Sequence, residues 1–445
     1  MKTPIYDFLC SYSESAPARL HMPGHKGRGA LGVEKYDITE VDGADVLYSP
    51  SGIIEESEGY ATELFATAHS FYSTEGSTLA IKAMLATAMK NRGAGCANKV
   101  LAGRNAHKAF LYAAALLDFE IAWLVPEGAE HIASAEITPD AVRAALSDMK
   151  ELPFAVYITS PDYLGGISDI RGIADVCREY GIPLLCDNAH GAYLAFLEES
   201  LHPIAQGAAM CADSAHKTLP VLTGGAYLHI GQGYPQYLRD ARAMLSLFAS
   251  TSPSYLILAT LDLCNARLAS DYRDKLAKAV KDLTRVKSRL TELSFRPVGD
   301  EPLKLTLDAG AVGYLGTELA EYLKERGIIP EFYDRDYTVL MVSAETAPCE
   351  LSLLLSTLEA LPIKPPKPKV ALKLNTPTPV LSIREAIFAP SEEISAEDSE
   401  GRILSSPSVS CPPAIPIAIS GERLTKDSIK LFEYYGIEKI SVVCE

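Results

Sequence analysis

The chain has 445 residues, 48% of them hydrophobic, with 41 basic against 57 acidic side chains and a formal charge of −16. Such a composition builds a large globular core of roughly two to three domains at ~150 residues each. The acidic balance opposes a broad nucleic-acid footprint and attraction to anionic membranes.

Nine cysteines without a CxxC pair suit reduced thiols, and the first twenty residues lack the apolar core of a secretory leader; both features predict a cytoplasmic protein. In chain order, STLAIKAMLATAMKNRG (77–93) predicts a helix that stops at glycine, and KVLAG (99–103) a short buried strand. The longest apolar run, FLYAAALLDFEIAWLV (110–125), is interrupted by Asp118 and Glu120. It therefore predicts a helix turning into a strand, not a membrane span. FAVYITSP (154–161) reads as a strand, IRGIADVCREYG (170–181) as an amphipathic helix, and IPLLCDNAHG (182–191) as another buried strand. This βαβ rhythm predicts a mostly parallel sheet covered by helices, with ligands at the carboxyl ends of its strands.

After about residue 235 the pattern changes to long helical segments such as DYRDKLAKAVKDLTRVKSRLTEL (271–293), then to mixed signals up to residue 361. PIKPPKPKVALKLNTPTPV (362–380) is rich in proline and lysine and marks a connection between domains. In the last segment Thr425 is a predicted N-cap and Gly436 a predicted helix stop. The expected organisation is an arm over 1–35, a large domain over 36–240, a smaller domain over 241–364, a linker over 365–381 and a C-terminal domain over 382–445.

Four polar features fall where strands end. Lys217 follows MCADSAH, Asp187 ends IPLLCD, His107 follows VLAGRNA, and STEGST (73–78) opens a helix. Each alone fits a cap or a structural role, but together they suit pyridoxal phosphate. That cofactor needs an amine to hold its aldehyde as a Schiff base, an acid facing its ring nitrogen, a flat group over the ring, and donors for its phosphate. The helix starting after Gly76 favours an anion through its free N–H groups and dipole, with Ser77 and Thr78 adding hydroxyls.

The segments HMPGHKG (21–27), DITEVDGADVLYSPSGII (37–54), RNAHKA (104–109), TSPDYLGG (159–166), DNAHGAY (187–193), SAHKTL (214–219), STSPSYLILATLD (250–262) and PPAIPIAISGE (412–422) together resemble the pyridoxal-phosphate-dependent ornithine/lysine/arginine decarboxylases. The chain is similar to the shorter form of that family, without an N-terminal wing domain. The resemblance implies an α/β fold of fold type I, with an aspartate-aminotransferase-like large domain on a mostly parallel seven-stranded sheet, a smaller α+β domain and a C-terminal α+β domain.

Residue by residue, it implies that Lys217 forms the Schiff base, Asp187 pairs with the ring nitrogen, His107 stacks on the ring and Ala189 packs beneath it. Gly76, Ser77, Thr78 and Ser214 would hold the phosphate, with Ser160 also at the cofactor and Ser250 to Ser252 completing the site from a neighbouring subunit. His216 and His190 would contact substrate or move protons. Family members are dimers or multiples of dimers, so a homodimer at least is expected. The implied reaction is decarboxylation of a basic amino acid, arginine ahead of lysine and ornithine. Another pyridoxal-phosphate reaction, such as transamination or elimination, and a non-catalytic protein that retains the fold are the alternatives.

The chain departs from the family pattern in places. Where many members carry DEAHGAH it reads DNAHGAY, so Asn188 replaces an acid and Tyr193 a histidine. LTGG follows the lysine where a glutamine is frequent, and Cys411 and Ala414 replace a tyrosine and a glycine. Glu385 and Glu422 are candidates for a distal substrate charge, against the ordinary reading of solvated acids. No metal site is expected, because Pro23 and Gly24 break the helical spacing of His21 and His25.

Overall fold

The computed structural model describes residues 1–125, 131, 134, 136–369, 379–409 and 416–444. Cys411 and Ala414 lie outside the described residues. The largest sheet comprises β1 (His69–Ser73), β2 (Ala97–Gly103), β3 (Glu120–Leu124), β4 (Pro153–Thr159), β5 (Leu184–Asp187), β6 (Met210–Asp213) and β7 (Ala226–Ile230). Its strand order is β1-β7-β6-β5-β4-β2-β3. The pairs β2/β3 and β5/β6 run parallel, whereas β7 is antiparallel to both neighbours. The βαβ rhythm thus yields the expected mostly parallel α/β sheet, with an antiparallel strand that it did not foretell.

Packing divides the chain into two compact units, one of 1–96, 154–156 and 170–276, the other of 97–153, 157–169 and 277–445. In the first unit the helices are α1 (Pro4–Glu14), α2 (Ile53–Leu64) and α3 (Gly76–Lys90). The predicted helix over 77–93 is α3, which stops three residues early. Most of α3 is buried from Leu79 to Ala88, which explains its apolar run of alanine, leucine and methionine: it lies against β5, β6 and β7. Phe65 caps an aromatic cluster with Phe196, Tyr227 and His229, ring centroids 5.1, 5.1 and 4.5 Å away.

In the second unit α4 (Lys108–Leu117) precedes β3, as the interrupted apolar run predicted. Asp118 makes the break: it adopts the left-handed conformation (φ 59°) that asparagine and aspartate tolerate at a helix C-terminus. The same unit contains α5 (Pro139–Ser147), and the first continues with α6 (Ile170–Glu179), α7 (Ala215–Thr218), α8 (Leu238–Phe248) and α9 (Tyr255–Leu268). The charged run after residue 271 forms α10 (Tyr272–Glu292).

Beyond it, β8 (Arg296–Val298), β9 (Lys304–Asp308), β10 (Phe332–Tyr333) and β11 (Tyr337–Met341) form a sheet of order β10-β11-β9-β8, accompanied by α11 (Gly316–Lys324) and α12 (Pro348–Glu359). The C-terminal segment contains α13 (Ile383–Phe388), β12 (Ser391–Ser395), β13 (Ser408–Val409), β14 (Pro416–Ala418), α14 (Lys426–Tyr434) and β15 (Lys439–Val443). Thr425 caps α14 as predicted, its side chain accepting from Ser428 N, and Gly436 follows the helix with φ 69°. Leu404, Ile417, Ala418, Leu431, Phe432 and Val442 make the core of this segment.

Candidate active site

The carboxyl ends of β5 and β6 carry the polar residues singled out by the sequence. Asp187 is the last residue of β5 and is 2% exposed. Its Oδ1 accepts from Ala189 N at 3.2 Å, which turns the chain immediately after the strand and presents Ala189 and His190. β6 ends at Asp213, and buried Ser214 then starts the single turn α7 that bears His216 and Lys217. Lys217 Nζ lies 3.0 Å from His190 Nε2. An ammonium has only donors, so Nε2 is the acceptor and the ring's proton sits on Nδ1 when His190 is neutral.

His216 is held differently. Its Nδ1 donates to Gly225 O at 2.9 Å, and its own N–H reaches the same carbonyl at 3.2 Å. Burial pushes its pKa down and nearby Lys217 adds to this, against the opposing Gly225 hydrogen bond. The neutral ring with its proton on Nδ1 is therefore the resting form near pH 7.

The phosphate-type cradle assembles at the start of α3, from strands distant in sequence. Ser214 Oγ donates to Ser77 Oγ at 2.7 Å, and Thr78 occupies the same first turn. Gly76 N donates to Gly224 O at 2.7 Å. Gly224 has φ 102°, and a Cβ there would come within 2.9 Å of Thr74 O, so only glycine lets the two loops approach. Both members of the glycine pair after the lysine are thus structural, Gly224 holding the α3 start and Gly225 holding His216. Glu75, absent from the sequence reading, accepts from Ser250 N at 2.8 Å and ties the STSPS segment of the same chain to this helix start.

These residues fit pyridoxal phosphate. A Cβ built on Gly76 would meet nothing within 4 Å, so there is open space at the first residue of α3, and the next residue, Ser77, carries the hydroxyl that meets Ser214, a donor set that suits an anion. A lysine amine and a buried carboxylate follow the two adjacent strands of the same unit, matching the donor set for the aldehyde and the ring nitrogen.

The remaining candidates lie in the other unit. His107 is the N-cap of α4, its Nδ1 accepting from Ala109 N at 3.1 Å. Ser160 is buried and its Oγ accepts from Ser168 N at 3.1 Å. Glu385 closes a capping box with Ser382 at the start of α13. Glu422 is not a solvated acid: it is 4% exposed, accepts from Ile419 N at 2.7 Å and has Arg104 at 3.9 Å. In the first unit His25 pairs with Asp37 at 3.1 Å.

Sequence reasoning missed Asp213, His202 and His229, a buried polar group next to Asn188. The available signal was polar Asp213 and His229 in otherwise apolar strands, whereas His202 lies in the loop before β6 and offered none.

A sequence model described as Orn/Lys/Arg decarboxylase, major domain, matches residues 3–301. The chain is 28% identical over 466 residues to a protein of Halalkalibacterium halodurans named arginine decarboxylase, covering 96% of this chain and 92% of that one. It is 27% identical over 463 residues to the Bacillus subtilis protein of the same name, with the same coverage. Among solved structures, the Francisella novicida lysine decarboxylase superposes with a TM-score of 0.80 at 17% identity, covering 99% of this chain and 81% of that one. The fold is that of the fold type I pyridoxal-phosphate enzymes. With its major-domain match spanning well over half its length, the chain belongs to the Orn/Lys/Arg decarboxylase family.

Proposed function

We propose that this basic amino acid decarboxylase acts on arginine and releases carbon dioxide and the corresponding amine, with pyridoxal phosphate held on Lys217. The observation that carries the reading is the meeting of Lys217 with His190 at 3.0 Å beside the strand end that bears buried Asp187. The names of the two bacterial relatives favour arginine. The charge of −16 favours the approach of a cationic substrate.

When bound, the cofactor would supply an electron sink for the pair left at Cα as carbon dioxide departs. The chain's own residues do the rest. Lys217 offers the amine that holds the cofactor, and Asp187 offers the carboxylate that keeps its ring nitrogen protonated through a charge-assisted hydrogen bond. Ser77 and Ser214 would anchor its phosphate, with Gly76 and Thr78 as further cofactor residues and Ala189 against the ring; the roles of His107 at the ring and of Ser160 rest on the family resemblance alone. His190 exchanges a proton with Lys217 Nζ, and His216, neutral at rest, is the second candidate to move one, taking it up at Nε2 before passing it on.

The reading includes a cytoplasmic homodimer whose product feeds polyamine formation. The arm supports a dimer, since Leu20, Met22 and Leu31 are 95%, 67% and 83% exposed, an apolar surface that a second copy would cover. Among the described residues, no helix is long and apolar enough to cross a membrane, and the cysteines are free thiols.

The test is carbon dioxide release from the cofactor-loaded protein with arginine, lysine and ornithine in parallel, using Lys217→Ala as control. Release from arginine, abolished in the variant, is the expected result. Silence with all three substrates despite an intact Schiff-base absorbance overturns the assignment.

A further inference from the structure

β5 and β6 are parallel neighbours, with Asp187 opposite Ala212. One residue further on, Asn188 N donates to Ala212 O at 3.0 Å and Asn188 Nδ2 donates to Asp213 Oδ1 at 2.8 Å. Successive strand side chains point to opposite faces, so this side-chain pair sits on the face opposite to Asp187. Both residues are fully buried.

The carboxylate of Asp213 is well supplied with donors. His202 Nε2 lies 2.9 Å from Oδ2 and Cys211 Sγ 3.2 Å from Oδ1, whereas His229 Nε2, 3.3 Å from Oδ2, is within ion-pair range without hydrogen-bond geometry. A carboxylate only accepts, so His202 carries its proton on Nε2. Burial pushes the Asp213 carboxyl up, but His202 and His229 more than reverse this and hold it well below the usual carboxylate range. At the outer end of the group, His229 Nδ1 lies 2.8 Å from Ser70 Oγ. Asn188 Oδ1 has no hydrogen-bond partner, so the Asn188 side chain is held through its amide nitrogen on Asp213.

The departure DNAHGAY then has a physical counterpart. Where the family pattern carries an acid after the ring-nitrogen aspartate, this chain has an amide, and a buried carboxylate stands on the neighbouring strand end instead. We propose that the Asn188–Asp213 hydrogen bond is a positioning clamp: it joins the two strand ends that lead to Asp187 and to Ser214–Lys217, and so fixes the acid for the ring nitrogen relative to the lysine for the aldehyde. Asn188 and Asp213 act through those residues and do not touch the cofactor. The clamp rests on the cofactor reading above.

The experiment uses the full chain loaded with pyridoxal phosphate, and reads the visible circular dichroism of the bound cofactor, its dissociation constant and the unfolding midpoint of the cofactor-free protein. Asn188→Leu removes the donor and keeps the branching of the side chain, with two methyls in place of the amide oxygen and nitrogen. The expected result is a loss of at least about half the visible dichroism and cofactor binding weakened about tenfold or more, as for a lost hydrogen bond to a charged acceptor. Ser70→Ala cuts the same buried group at its far end; it lowers the unfolding midpoint while leaving dichroism and affinity within about twofold of wild type.

Should Asn188→Leu fail to fold, the conservative exchange Asn188→Asp with Asp213→Asn keeps volume and a donor–acceptor pair across the same strand ends. It is expected to recover dichroism that Asn188→Asp alone loses. Wild-type dichroism and affinity in Asn188→Leu, equal losses in Ser70→Ala, or no recovery in the exchange overturns the clamp. A wild-type protein that takes up no pyridoxal phosphate overturns the cofactor reading and the clamp with it. A wild type that binds normally with an insensitive Asn188 overturns the clamp alone.

Discussion

Lys217 Nζ lies 3.0 Å from His190 Nε2, although 27 residues separate them in sequence. The contact exists because the turn after β5 and the single helical turn after β6 leave adjacent parallel strands on the same side. It gives the lysine a proton partner that is 5% exposed and so shielded from bulk water.

His190→Phe keeps a flat ring and removes the acceptor. The expected outcome is a kcat lower by roughly 10²-fold, the usual scale of a lost general acid or base, while the Schiff-base absorbance of the loaded protein persists. A change in kcat under about threefold would remove His190 from the proton path.

The Ser214–Ser77 hydroxyl contact of 2.7 Å makes the two serines one cradle. Ser77→Ala and Ser214→Ala are each expected to weaken cofactor binding about tenfold, near 1.4 kcal/mol. The double variant should lose less than the sum, because the hydroxyls share a hydrogen bond. Strict additivity in equilibrium titrations would show that they bind independently.

Gly224 and Gly76 both have positive φ, 102° and 71°, but differ in surroundings. A Cβ on Gly224 meets Thr74 O at 2.9 Å and Ile257 Cδ1 at 3.0 Å, whereas one on Gly76 meets nothing within 4 Å. Gly224→Ala should therefore destabilise the cofactor-free protein by ~1–3 kcal/mol through strain and displacement of the Thr74 loop. Gly76→Ala should cost less in that state and show its main effect as weaker cofactor binding. Chemical denaturation of the two cofactor-free variants compares them directly, and a larger loss for Gly76→Ala would contradict the packing argument.

Asp262 anchors the start of α1: its Oδ2 accepts from Ile5 N at 2.9 Å and Tyr6 N at 3.0 Å, and its Oδ1 from Ser57 Oγ at 2.6 Å. Burial pushes its pKa from 3.8 up to about 6. A raised carboxyl pKa means that the folded chain binds the proton more tightly than the unfolded one. The contribution of this group to stability therefore grows as pH falls through about 6 towards about 4, and is smallest above that window. Wild type should gain stability relative to Asp262→Asn between pH 7 and pH 5, with the other titrating groups cancelling in the comparison. A difference between the two proteins that stays constant across the range would show that Asp262 does not titrate there.

Much of the site was legible because strands and helices announce themselves by short-range periodicity. The apolar runs before Asp187 and before Lys217 marked buried strands, and polar residues just past such strands are where an α/β sheet gathers its ligands. The break at Asp118 was visible for the same local reason. The glycine pair at Gly224 and Gly225 was visible as a pair but not as a purpose, since its purpose is the approach of the Thr74 loop and the Gly76 amide, roughly 150 residues earlier in the chain.

By itself, then, the sequence determined the βαβ alternation that runs from α3 to β5, the polar residues at the ends of its strands, and the family pattern they compose. Only the tertiary structure decided that β7 inserts antiparallel between β1 and β6, that Asn188 rests on Asp213, and that Asp262 caps a helix 257 positions away. The reason is physical. Periodicity reports which face of an element is buried, whereas a hydrogen bond between distant residues depends on strand order and register, and these are settled when the elements pack.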